Sequence, residues 1–179
     1  MPIASRAWIM AVRHRNDGEV LDVAENAFRR LQIGDYQNQI RDVITLLGHI
    51  DVAVVFESDH DRVAHSFVTF FRAAMARNLQ TTFTYIAIDI DQRNYPRRRE
   101  EDASAYLVAI QTTLNAPDEL INQIRAIAEV KIADIVWGDC DMIALLVGND
   151  GRGRRYRAVL SDIANLNGVA RVTSMPEVR

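Results

Sequence analysis

The amino-acid sequence predicts an α+β fold of two tandem ferredoxin-like (βαββαβ) units forming a pseudo-dimer, an arrangement of the dimeric α+β barrel type. Three observations carry the prediction. Stretches 40–57 and 130–147 align without a gap at an offset of 90 residues, which matches Gly48 with Gly138 and Asp51 with Asp141. Each stretch is a β-rich run, a polar turn opened by glycine and a second β-rich run, the pattern of a hairpin. Both are flanked by a strand and a helix before and a helix and a strand after, so the whole unit repeats.

In the first copy a strand-like run from Trp8 to Val12 precedes Asn16, a helix N-cap residue with Glu19 three positions on. Val20, Ala24, Phe28 and Leu31 then recur at helical spacing, and Ile33, Gly34, Asp35 and Tyr36 fall in extra chain that the second copy lacks. After the hairpin, Ser58 and Asp61 suggest a cap, Val63, Phe67, Phe70, Phe71 and Ala74 mark one buried helix face, and a strand runs from Thr82 to Ile88. The second copy opens with a strand from Tyr106 to Ile110. Asn115 is its expected N-cap, with Pro117 in the first turn and Asp118 three on, ahead of an apolar stripe at Leu120, Ile121, Ile124 and Ile127. Tyr156, Val159, Leu160 and Ile163 give its second helix, Asn167 and Gly168 the stop, and Val169 to Met175 the last strand. The reading therefore divides the chain into units 1–90 and 105–179, joined by a polar linker 91–104 that contains Pro96 and no apolar period. A sheet with helices on one side leaves its other face open, so two copies are expected to cover each other and to self-associate further as a homo-oligomer.

Composition narrows the function. The 179 residues are 49% hydrophobic and 25% charged, enough for a packed core. With 21 basic against 24 acidic residues the net charge is -3, so no global positive field favours direct nucleic-acid binding. Apolar runs such as Val52 to Phe56 fall far short of the ~20 residues of a membrane helix. A single cysteine, Cys140, and the absence of a charged-then-apolar opening favour a reducing, cytoplasmic setting and no membrane partner.

The glycine turns are the candidate ligand sites: Gly48, His49 and Asp51 in the first copy, and Trp137, Gly138, Asp139 and Asp141 in the second. Glycine lets backbone N–H groups approach a carboxylate, and an aspartate accepts from an ammonium group. The plainer alternative is that the glycines supply a positive φ and the aspartates cap the turns. Trp137 either walls a pocket or packs at an interface. His14, His49, His60 and His65 show no metal-ligand spacing, since His60 and His65 stand about 140° apart on a helix. No metal is expected, no cofactor is called, and no catalytic residue is assigned. The basic stretches 97–99 and 152–157 read as a solvated linker and as a surface or intersubunit salt-bridge segment.

The run from Val136 to Val147, reading VWGDCDMIALLV, with Leu166-Asn167-Gly168-Val169 and Val172-Thr173-Ser174 after it, resembles the effector-binding (RAM) domain of the leucine-responsive and asparagine regulator (Lrp/AsnC) family. Trp137 stands where that family has threonine and Cys140 where it has tyrosine. Gly48-His49-Ile50-Asp51 with Thr82 and Thr84 gives a weaker match in the first half. The resemblance implies a small-molecule, often amino-acid, binding module with sites around the turns between subunits. The family's helix-turn-helix is not visible, so DNA binding is not carried over. The leading expectation is thus a non-enzymatic regulatory or oligomerisation module of transcription-regulator type that binds a small effector, with a DNA-binding relative as a possible partner. The alternative is a dimeric α+β barrel enzyme, a small oxygenase or haem-dependent, using the cavity between sheet and helices, with His49, His60 and His65 as first suspects.

Overall fold

The computed structural model describes residues 3–13, 39–59, 67–69, 71–73, 79–93, 104–148 and 154–178. They form antiparallel strands with few helices, an α+β fold, in two compact units: Met1–Ala87 with Val178–Arg179, and Ile88–Glu177.

In the first unit, β1 (Ser5–Arg13) lies between β3 (Val52–Ser58) and β4 (Leu79–Asp89), and β3 also pairs with β2 (Ile40–Thr45), giving the order β2-β3-β1-β4. In the second, β5 (Ser104–Thr112) lies between β7 (Met142–Gly148) and β8 (Val169–Pro176), and β7 pairs with β6 (Val130–Trp137), giving β6-β7-β5-β8. Each of these pairings is antiparallel, and the two orders are the same when strands are counted within each unit. Irregularities recur at matching places as well. The register shifts between Ile40 and Asp42 and again between Val130 and Ile132, and it shifts between Val12 and Arg13 and again between Gln111 and Thr112. A bulge re-aims every residue beyond it, so its repetition extends the internal similarity from sequence to register.

The strands form where β-branched and aromatic residues concentrate. All seven residues of β3 are buried, as are Ala7, Trp8, Ile9, Met10 and Ala11 of β1, so neither face of this central pair meets water. Residues 67–69 and 71–73 are helical. Phe67 stacks on Phe56 at 4.1 Å and 11°, with Phe71 at 6.3 Å from Phe67, as the helical spacing of the phenylalanines anticipates. Arg72 Nε donates to Thr82 Oγ1 at 3.1 Å, fixing this helical stretch to β4. The Val178 N–H donates to the Thr45 carbonyl at 2.9 Å, so the chain returns to β2 to complete the unit. The expected first helix with its cap at Asn16, the extra chain at Ile33–Tyr36, and Val63, Phe70 and Ala74 lie outside the described residues.

The second unit has a continuous core. Leu120, Ile121 and Ile124 of α1 (Leu120–Arg125) and Tyr156, Val159 and Ile163 of α2 (Arg154–Ala164) pack on Val108, Ile110, Val130, Ala133, Met142, Ala144 and Leu146 of the strands. The rings of Tyr106 and Tyr156 approach to 3.9 Å. One expectation shifts here. Asn115 is not the N-cap; the helix begins at Leu120 behind Glu119, which makes no side-chain cap. The preceding chain is held elsewhere, because the Thr113 N–H donates to the Gly168 carbonyl (2.8 Å) and the Ala116 N–H to the Thr113 carbonyl (3.1 Å). That pinned turn uses up the residues that the sequence pattern gives to the first helical turn. No helix among the described residues is long and apolar enough to cross a membrane.

Candidate functional site

The two glycine turns are closed by equivalent bonds. In the first unit the Leu46 N–H donates to the Asp51 carbonyl (2.8 Å) and the Asp51 N–H to the Ala11 carbonyl (3.0 Å). In the second the Val136 N–H donates to the Asp141 carbonyl (2.9 Å) and the Asp141 N–H to the Ile110 carbonyl (3.0 Å). One bond closes each turn and the other ties it to the first strand of its unit. Gly48 adopts φ 135°, and a Cβ there would meet nothing within 4 Å, so backbone conformation alone selects glycine.

Gly48 and His49 are exposed and Asp51 is half-buried; Gly138, Asp139 and Asp141 are exposed, and Trp137 is 78% exposed. The Asp141 carboxylate accepts from the Thr112 N–H (2.7 Å) and hydroxyl (3.1 Å), and Gln111 Nε2 donates to the Asp139 carbonyl (3.0 Å). The second turn is thereby pinned to the end of β5, and its aspartate has a local structural partner. His14, His60 and His65 lie outside the described residues.

Cys140, between the two aspartates, is buried. Burial first, then the neighbouring carboxylates of Asp141 and Asp139, pushes its thiol up to about 12 from a usual value near 9.0. It is a protonated, poorly nucleophilic thiol at neutral pH. Because the folded state holds the proton more tightly than the unfolded chain, the stability this group contributes is complete below pH about 9 and declines as pH rises toward 12, by up to about 1.4 kcal/mol per pH unit. Urea unfolding at about pH 8 and about pH 10.5 is expected to show a loss at the higher pH that is smaller in Cys140→Ala.

Two buried ionic groups escape the sequence reading. In the first unit Arg6, with no exposed surface, donates through Nε to Glu57 Oε1 (2.8 Å), with Nη2 at 2.6 Å from the same oxygen, while Arg41 Nε donates to Glu57 Oε2 (2.7 Å). In the second unit buried Asp91 accepts from the Ala133 N–H (3.0 Å), from the Arg93 N–H and from its guanidinium, while the Asp91 N–H donates to Asp134 Oδ1 (2.8 Å). Burial alone would raise the Asp91 carboxyl, but the Arg93 side chain, the Arg93 and Ala133 backbone bonds and the Arg93 charge together hold it below its usual range. Arg93 Nη1 also donates to the Val130 and Arg125 carbonyls (3.1 Å), and Arg125 Nε to the Ala133 carbonyl (2.9 Å), so residues 89–93 are fastened across the end of α1 and the start of β6. Both groups are suited to fixing strands. The signal for the first pair lies only in register, since Arg6 and Glu57 face each other across β1 and β3.

The fold defines the chain as an α+β protein of mostly antiparallel strand. No family model matches it, and no curated protein matches its sequence. Solved structures do match. A chlorite dismutase-like protein aligns over 98% of this chain and 95% of its own at a TM-score of 0.63 and 9% identity. The siroheme decarboxylase NirDL, in complex with an iron-uroporphyrin III analogue, aligns over 99% of this chain and 75% of its own at 0.61 and 9%. A haem-binding protein from Thermus thermophilus aligns over 100% and 95% at 0.54 and 12%. At these identities the likeness is one of fold.

These structures correct the family resemblance drawn from the second turn: a chlorite dismutase-like protein, a siroheme decarboxylase and a haem-binding protein match nearly the whole chain in fold, and none is an Lrp/AsnC effector (RAM) domain. With it falls the expectation of an amino-acid-binding, transcription-regulating module with a DNA-binding relative. The physical reason is that the Gly-Asp-Cys-Asp motif does local work. Its bonds close the hairpin and anchor it to Thr112, needs that any chain with this corner shares.

Proposed function

We propose that this chain is an enzyme of the dimeric α+β barrel type, haem-dependent or a small oxygenase, built from two ferredoxin-like units in tandem that act as a dimer within one polypeptide. The observation that carries the reading is alignment of nearly the whole chain, 99–100% of it, with a siroheme decarboxylase holding an iron-uroporphyrin III analogue and with a haem-binding protein. The repeated strand order and bulge positions support the tandem. In this reading 1–90 and 105–179 are the units and 91–104 the linker, its start anchored at Asp91.

The described residues of the second unit do not fit a macrocycle between sheet and helices, because Val108, Ile110, Leu120, Ile124, Ala144 and Tyr156 fill that layer and the Cys140 thiol keeps its proton. The candidate iron ligands belong to the first unit, where Phe56, Phe67 and Phe71 are buried against one another and His60 and His65 precede that helical stretch in sequence. A single histidine holds a haem iron without any second ligand at fixed spacing, and the bound haem would supply one-electron and oxygen chemistry.

Titration of purified protein with haemin tests the proposal. A saturable Soret band is expected, with a stabilisation of about 2.7 kcal/mol at about 100 times the dissociation constant. His60→Ala or His65→Ala should shift or abolish the band. Protein that gains neither the band nor thermal stability overturns the reading.

A further inference from the structure

In the first unit the Thr84 hydroxyl of β4 is buried and has no hydrogen-bond partner among the described residues. Its face of the sheet follows from register. Thr82, Thr84 and Ile86 alternate along an unshifted stretch of β4 and stand opposite Ala11, Ile9 and Ala7, while Phe83 and Tyr85 belong to the other face. Arg72 Nε reaches Thr82 from the helical residues 71–73, and Ala7 pairs with Phe56, on which Phe67 stacks, so this is the helix-facing side. Thr84 therefore lies between a row reached by a guanidinium and a row covered by an aromatic ring, with the short side chains of Ala7 and Ala11 diagonal to it.

A buried hydroxyl that bonds nothing destabilises the fold, because it has given up water and gained no partner, and a valine of the same shape would avoid that cost. Arg72 spends only Nε on Thr82. It is exposed, and no carboxylate among the described residues pairs with its terminal nitrogens. Side chains two positions apart on one strand stand about 7 Å from each other, a gap that a carboxylate can bridge. Set between the Thr84 hydroxyl and the guanidinium beside Thr82, it would accept from both, and the charge on donor and acceptor makes such bonds stronger than neutral ones.

We infer that Thr84 and Arg72 form a carboxylate subsite in the first unit: the Thr84 hydroxyl donates to, and the Arg72 guanidinium pairs with, an acid group at the edge of an apolar ligand. Under the reading that this unit holds a haem, on which the assignment rests, that group is a propionate. The subsite fixes the acid edge of the ligand at β4 and disfavours ligands whose acids are esterified, since an ester carries no charge to pair with the guanidinium.

Haemin and its dimethyl ester, titrated into the full chain and followed at the Soret band, test the assignment. Wild type is expected to bind haemin at least about tenfold more tightly than the ester. Arg72→Gln and Thr84→Val should each erase most of that preference by weakening haemin and leaving the ester unchanged, whereas Thr84→Ser, which keeps the hydroxyl, should retain it. Without ligand, Thr84→Val should melt at or above the wild-type temperature, because it removes an unpaired polar atom and breaks no bond. Equal affinity of wild type for the two compounds, a preference that survives both substitutions, equal losses for haemin and ester, or a Thr84→Val variant that melts lower without ligand would overturn the subsite and leave the haem reading standing. Protein that takes up neither compound overturns both.

Discussion

Glu57→Ala is expected to destabilise the protein by about 3–5 kcal/mol, the range for removing one partner of a buried ion pair. Arg6 has no exposed surface and Glu57 almost none, so the truncated variant keeps a guanidinium in a low-dielectric interior without the carboxylate that holds it. Arg41 would lose its partner too, at lower cost, because it is partly solvated. Chemical denaturation measures the loss as a fall in the transition midpoint without a change in slope. The double variant Arg6→Met/Glu57→Leu separates charge from packing. It removes both charges while keeping apolar volume, and is expected to recover most of the stability that Glu57→Ala forfeits. If the single variant costs less than about 1 kcal/mol, the trio is no structural clamp.

The second large effect is expected at Gly168, where alanine should cost about 2–5 kcal/mol, combining backbone strain with overpacking. Its φ is +97°, a conformation that side chains resist, and a Cβ would come within 2.7 Å of Pro117 Cδ and 2.8 Å of Ala116 Cα. The Cα of Ala116 belongs to the turn that the Gly168 carbonyl itself holds through Thr113, so the obstacle cannot swing aside as a flexible side chain would. A thermal melt lower by several degrees, with the native circular dichroism retained, is the outcome to look for. Gly48→Ala makes an informative contrast. It shares the positive φ but has open space around the added carbon, so it reports the conformational penalty alone.

Strand placement was largely legible in the sequence, because β-branched runs bounded by turn residues have few other uses. The run from Trp8 to Val12 lies inside β1, that from Thr82 to Ile88 inside β4, and that from Tyr106 to Ile110 inside β5. The offset that aligns Gly48 with Gly138 also aligns the bulges of β2 and β6. The start of α1 was not legible, since a cap pattern at Asn115 carries no hint that Gly168 will press on the following two residues. Nor were the buried charges. Arg6 and Glu57 are 51 positions apart in the sequence, and only the pairing of β1 with β3 makes them partners. The family resemblance misled for a related reason: a four-residue corner reports the geometry of a hairpin, which many chains need, whereas an architecture spans the whole polypeptide.

The return of Val178 to Thr45 makes the first unit discontinuous in sequence. A gene fragment ending at Ala87 encodes nearly all of that unit's strands and still lacks the amide that Thr45 accepts from, so a truncated piece should fray along β2 before it melts elsewhere. During synthesis the same closure waits until residue 178 has emerged, which makes completion of the earlier half one of the later events in folding.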